Sequence, residues 1–152
     1  MSGATAAIVS LCWADKPNMS MFEWNPEYSL GHGDIDGQHK KLFELASELH
    51  TAMMQGKGKD ALSATLGNLI AYTKTHFANE ERLMQTYHYP AYPEHKAAHD
   101  AFTARVLEFH KEFKAGRVGM TIELLQFLKD WLRTHIGETD RKVATFLKKK
   151  AA

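Results

Sequence analysis

One cysteine, Cys12, is all the thiol chemistry this chain of 152 residues contains, which excludes an internal disulfide and an iron–sulfur cluster. Such usage suits a reducing compartment, and a cytoplasmic location is expected. The chain also lacks an excess of either charge. Its 19 basic and 18 acidic residues leave a formal net charge of +1 and are interspersed, so no nucleic-acid partner is expected. The one run of like charge, Lys148 to Lys150, reads as a solvated tail. No apolar run reaches bilayer length. The N-terminal stretch ATAAIVSLCWA is too short to span and has no basic residue before it, so residues 1–21 read as a flexible arm rather than a signal peptide. Proline, with four residues, and glycine, with ten, are scarce enough that their clusters mark boundaries.

From Asp36 onward the apolar spacing is helical almost throughout. It is broken at QGKGK (Gly56, Gly58), at YHYPAYP (Pro90, Pro93) and at AGRVG (Gly116 to Gly119), which predicts four helices over 37–55, 60–86, 93–115 and 119–147. Short connections force neighbouring helices to run antiparallel. The expected fold is therefore all-α, an up-down-up-down four-helix bundle spanning residues 22–152, with 44% hydrophobic residues to fill its core.

Each predicted helix carries one inward stripe. These read His39, Leu42, Ala46, Leu49, Met53; then Leu62, Leu66, Leu69, Thr73, His76, Glu80, Leu83; then His95, His99, Phe102, Val106, Phe109, Phe113; and last Leu125, Leu128, Trp131 or Leu132, His135. A lone histidine on an apolar stripe is ordinarily a hydrogen-bonded core residue. Five of them with a glutamate, spread over all four stripes, would each need a separate buried partner. Counting along each helix from the Gly56 and Gly116 turns puts His39, His76, His95, His99 and His135 all about 24 Å down the bundle. The histidines meet in one layer, and the spacings HxxxE (His76, Glu80) and HxxxH (His95, His99) place each pair on one helical face.

That layer offers more donors than one four-coordinate zinc ion uses, so two metal ions are expected. Nitrogen-rich ligation with carboxylates suits iron, or manganese less well, and Glu80 has two oxygens with which to bridge. Asp140, five residues after His135, would lie about 140° around an ideal helix. It is either an ordinary solvated aspartate or a ligand brought inward by a local distortion near Gly137. His50 and His110 lie about 16 Å farther along the stripes, too far to ligate. His88 reads as a surface residue of a connection. His32, in GHGDID, reads as a loop residue, an outer hydrogen-bond partner or a metal-capture site.

The segments DGQHKKLF, HFANEERLM, HKAAH and WLRTHIGETD together resemble the hemerythrin family, in particular its single-domain bacteriohemerythrins, from about Phe22 to Leu147. The resemblance implies a non-heme di-iron centre that binds dioxygen reversibly. It implies that His95, His99 and His135 hold one iron and His39 and His76 the other, that Glu80 and Asp140 bridge, and that Trp131 and Leu132 line the oxygen pocket. At position 32 the family usually carries a branched aliphatic residue, so His32 departs from its pattern.

The donor set agrees with that chemistry. Ferritin-like di-iron bundles use four carboxylates and two histidines, a charge-rich set that stabilises high-valent iron. Five neutral imidazoles and two carboxylates leave a pair of ions net positive and favour the ferrous state. The expected function is thus that of an oxygen-binding metalloprotein, carrying, storing, sensing or delivering dioxygen, and not of an enzyme. The alternative is a di-iron oxidase or peroxidase built on the same residues. A protein recipient of the oxygen is possible, and the sequence names none.

Overall fold

The computed structural model describes residues 21–117, 119 and 121–151, and every regular element among them is helical. The predicted arm, save for Met21, lies outside the described residues, as does Cys12. A short 3-10 turn (Pro26–Tyr28) leads into α1 (Gly33–Met54), α2 (Lys59–Thr86) and α3 (Tyr92–Lys114). Next comes α4 (Thr121–Thr134), which runs through a π-helical segment (His135–Asp140) into α5 (Arg141–Ala151). The last two helices and the segment between them form one rod, the fourth of an antiparallel four-helix bundle. Helix α2 packs against α1 and α3, and α4 packs against α1. Phe102 and Phe109 of α3 meet Phe127 of α4 at ring distances of 5.6 and 5.9 Å. No described helix is long and apolar enough to cross a membrane.

Helix α1 starts four residues before its predicted boundary because its entrance is capped. The His32 ring accepts at Nδ1 from the Ile35 N–H (3.4 Å), satisfying one of the amides that a helix start leaves unpaired. Asp36 accepts from the Leu30 N–H at 2.8 Å and the Ser29 hydroxyl at 2.6 Å, tying the preceding loop to the first turn. His32 is therefore the N-cap of α1 rather than a free loop residue.

Three helices end alike. After α1 and α3 the chain turns at Gly56 (φ 65°) and Gly116 (φ 84°), and paired hydrogen bonds close each end: Gly56 N–H to Met53 and Lys57 N–H to Ala52, Gly116 N–H to Phe113 and Arg117 N–H to Glu112. After α2 the same arrangement forms around His88, whose φ is 55°, with His88 N–H to Gln85 and Tyr89 N–H to Met84. A left-handed conformation costs a non-glycine residue about 1–2 kcal/mol. The exposed His88 thus terminates α2 where glycine is the usual choice.

The interior is layered along the bundle. The main apolar cluster, including Leu42, Leu49, Leu66, Val106, Phe109 and Leu128, fills the end near the Gly56 and Gly116 turns. A smaller one, Leu30, Ile35 and Ala144 with Leu83 and Leu147, occupies the other end. Between them the helices bring in polar side chains that are almost completely buried: His39, His76, Glu80, His95, His99, His135 and Asp140.

Candidate metal centre

The four rods supply these seven residues by local geometry. Helix α1 contributes His39, α2 contributes His76 and Glu80 one turn apart, and α3 contributes His95 and His99 likewise. His135 and Asp140 begin and end the π-helical segment. Its wider i→i+5 turn brings residues five apart onto one side, and Asp140 Oδ1 consequently lies 3.1 Å from His135 Nε2. Asp140 is buried in the cluster and is not a solvated aspartate. Space does not demand glycine at position 137, where a Cβ would meet nothing within 4 Å.

The donor atoms converge. His95 Nε2 lies 3.0 Å from Asp140 Oδ1 and 3.5 Å from Glu80 Oε2. His99 Nε2 is 3.2 Å from Glu80 Oε2 and 3.1 Å from His135 Nε2, and His39 Nε2 is 3.1 Å from Asp140 Oδ2. His76 Nε2 stands farther off, 3.9 Å from Glu80 Oε2. Close as they are, both nitrogens of His39 and His95 and both oxygens of Glu80 and Asp140 are buried with no aligned hydrogen bond. Leaving such groups unsatisfied costs about 1–3 kcal/mol each, and an ion at their common focus would satisfy the inward-facing ones. Two ligands about 2.1 Å from an ion and at right angles to each other stand about 3.0 Å apart, so the observed separations fit a coordination shell.

Two groups of donors emerge, each with its atoms within 4.8 Å of one another: Glu80, His95, His99, His135 and Asp140, and His39, His76, Glu80 and Asp140. Glu80 and Asp140 belong to both.

Protonation follows from burial and charge. Burial pushes the His76 imidazole down to about 4, so its ring is neutral near pH 7 and has a lone pair to give. Burial also pulls His95 down, but the carboxylates of Asp140 and Glu80 override it and raise the ring to about 9. An ion bound at His95 below that pH must displace a proton. Burial favours the neutral acid at Asp140, and the imidazoles of His135, His39 and His95 reverse this and hold it well below the usual carboxylate range.

Three neighbours orient the cluster. His76 donates from Nδ1 to Gln38 Oε1 at 2.7 Å, and His99 donates from Nδ1 to Glu81 Oε1 at 3.0 Å. Each bond fixes the tautomer that turns the Nε2 lone pair inward. Phe77 stacks on His99 at 3.7 Å and 4°. Sequence reasoning missed all three, although each stands beside a stripe residue: Gln38 before His39, Phe77 after His76 and Glu81 after Glu80. Trp131 stacks on His135 at 4.2 Å and 12° and stands 5.5 Å from Phe77. Leu132 is buried in the main core.

The remaining stripe histidines have other partners. His50 meets the edge of Phe22 with ring centres 6.2 Å apart. His110 Nε2 meets the hydroxyl and carbonyl oxygens of Ser63 at 3.0 and 3.1 Å. His50→Ala and His110→Ala should therefore keep the full metal content of the parent chain. Elemental analysis checks this, and loss of metal from either variant would contradict the register described here.

Comparison with known proteins bears on what the cluster is. A family model for the hemerythrin HHE cation binding domain matches residues 30–147. The chain is 33% identical over 130 residues to a bacteriohemerythrin of Stenotrophomonas maltophilia, covering 86% of this chain and 84% of that one. It is 37% identical over 122 residues to a bacteriohemerythrin of Pseudomonas aeruginosa, covering 80% and 78%. A crystal structure of wild-type hemerythrin superposes with a TM-score of 0.76 at 31% identity, covering 82% of this chain and 96% of that one.

Proposed function

Because the chain belongs to the hemerythrin family, we propose that it holds two iron ions and binds dioxygen reversibly, as a carrier, store, sensor or donor rather than an enzyme. In this reading His95, His99 and His135 hold one ion and His39 and His76 the other, with Glu80 and Asp140 shared. The observation that carries it is the sharing itself: two donor groups of five and four residues with Glu80 and Asp140 in common. A ferrous pair held there would supply the electrons for reversible dioxygen binding.

The chain's own contribution is to poise and shield that pair. Five imidazoles and two carboxylates leave less negative charge than a carboxylate-rich site would, which favours the ferrous state. Gln38 and Glu81 fix the rings that they contact. Phe77 and Trp131 stack on His99 and His135 and, with the buried Leu132, form an apolar flank that excludes water from that side of the centre. The donor set has no thiolate and is richer in nitrogen than manganese prefers.

Metal analysis after expression with ample iron tests the proposal. It should give two iron atoms per chain, and the reduced protein should take up about one dioxygen per pair. A single ion per chain, or zinc alone, would contradict it.

A further inference from the structure

The seven cluster residues are all 4% exposed or less, so an ion arriving from solvent needs a route. Moving a bare ion through apolar packing carries a desolvation cost far beyond thermal energy, which rules out the side closed by Phe77, Phe102 and Trp131. A cavity of about 450 Å³ opens instead between the first turns of α1 and the last part of α2, lined by His32, Asp34, Gln38, Asn79, Glu80 and Arg82 among others. It reaches the cluster twice. Glu80 forms part of its wall, 1% exposed and with both oxygens buried without a hydrogen bond, and Gln38 is the residue that holds His76. A larger cavity lies on the outer face of α1, between Phe22 and Gln55, and has no cluster residue in its lining. A third, lined by Ile70, Thr73, Phe102, Thr103 and Val106, has none either.

We infer that the cavity between α1 and α2 is the vestibule through which a hydrated divalent cation enters the centre, with Asp34 as its first contact and Glu80 as the carboxylate that receives it. His32 accepts at Nδ1 to cap α1, so its neutral ring carries the proton on Nε2 and lines the vestibule without ligating the ion. Asp34 is exposed and adds negative charge at the mouth. Arg82, held by Asn79 Oδ1 at 2.8 Å, offsets one of the two negative charges that Asp34 and Glu80 bring to the lining, which leaves the vestibule net negative and attractive to cations. This deepens the iron reading of the centre and rests on it.

The test is the rate of loading, separated from its end point. Full-length protein stripped of metal is mixed anaerobically with ferrous iron, and the iron that has become inaccessible to a chromogenic ferrous chelator is followed in time. Asn79→Trp, which fills the mouth, should slow loading at least tenfold. Asp34→Lys, on an exposed position that leaves folding intact, should also slow it, and added salt should shrink that effect. Both variants should reach the parent's final iron content. Glu44→Lys, in the lining of the unrelated cavity, should load at the parent rate. Loading of both vestibule variants to the full content at the parent rate would overturn the route and leave the centre standing. A parent chain that takes up no iron at all would overturn the reading beneath it as well.

Discussion

Glu80→Ala should empty the centre of both ions, whereas His39→Ala should leave one in place. The difference follows from membership: Glu80 belongs to both donor groups, while His39 belongs to one. Ion binding stabilises the folded chain by mass action, about 4 kcal/mol per ion at a free concentration a thousand times Kd. For a domain of this size that is on the order of 10 °C in Tm for each ion. The gap in Tm between iron-loaded and chelator-treated parent should be about 20 °C by the same arithmetic. It should fall to about half in His39→Ala and nearly vanish in Glu80→Ala. Measuring the gap within each variant cancels whatever the substitution does to the chain alone. If Glu80→Ala retained two irons and the full gap, the shared carboxylate would not be a bridge.

Leu132→Asn should keep its iron and lose reversibility. Leu132 is 3% exposed and lies one helical turn before His135, on the flank formed with Trp131 and Phe77. A polar amide there admits water and stabilises the charge that separates when oxidised iron is left behind. A change of about 1.4 kcal/mol in that barrier is tenfold in rate, and loss of the apolar flank should produce at least that. The readout is the rate at which the oxygenated protein oxidises irreversibly, with iron content measured alongside. Asn keeps the branch at Cγ and the number of heavy atoms, but burying its amide without a partner costs about 1–3 kcal/mol, so Tm is read on the same sample as iron content. Equal rates in parent and variant would reduce Leu132 to core packing alone.

Much of this was legible before any coordinates, for reasons that differ by residue. His76 with Glu80 and His95 with His99 lie four apart, where helical geometry alone puts two side chains on one face. The glycine and proline clusters marked the connections because a left-handed turn or a missing N–H ends a helix locally. Asp140 was ambiguous, since a period of 3.6 points it away from His135, and only the π-helical segment His135–Asp140 turns it back. Gln38 and Glu81 were hidden because their partners are tertiary: Gln38 meets His76, 38 positions away, and Glu81 meets His99, 18 positions away. The start of α1 was misplaced because GHGDIDG shows no apolar period, and its order comes from a histidine cap and from Asp36 tying down the loop. His88 is the exposed residue of a connection that the sequence suggests, but its role in ending α2 was hidden for the opposite reason. It occupies a left-handed position where the pattern of helix ends leads one to look for glycine.

Carrier and enzyme share every residue of this centre, and repeated exposure of the ferrous protein to air and argon separates them. The ferrous form should be colourless, gain a visible absorption band in air, lose it under argon, and recover over many cycles with no consumption of added hydrogen peroxide beyond that of free iron. Irreversible oxidation of the intact chain at the first exposure, or catalytic turnover of peroxide, would contradict reversible dioxygen binding and make the centre an oxidase or peroxidase.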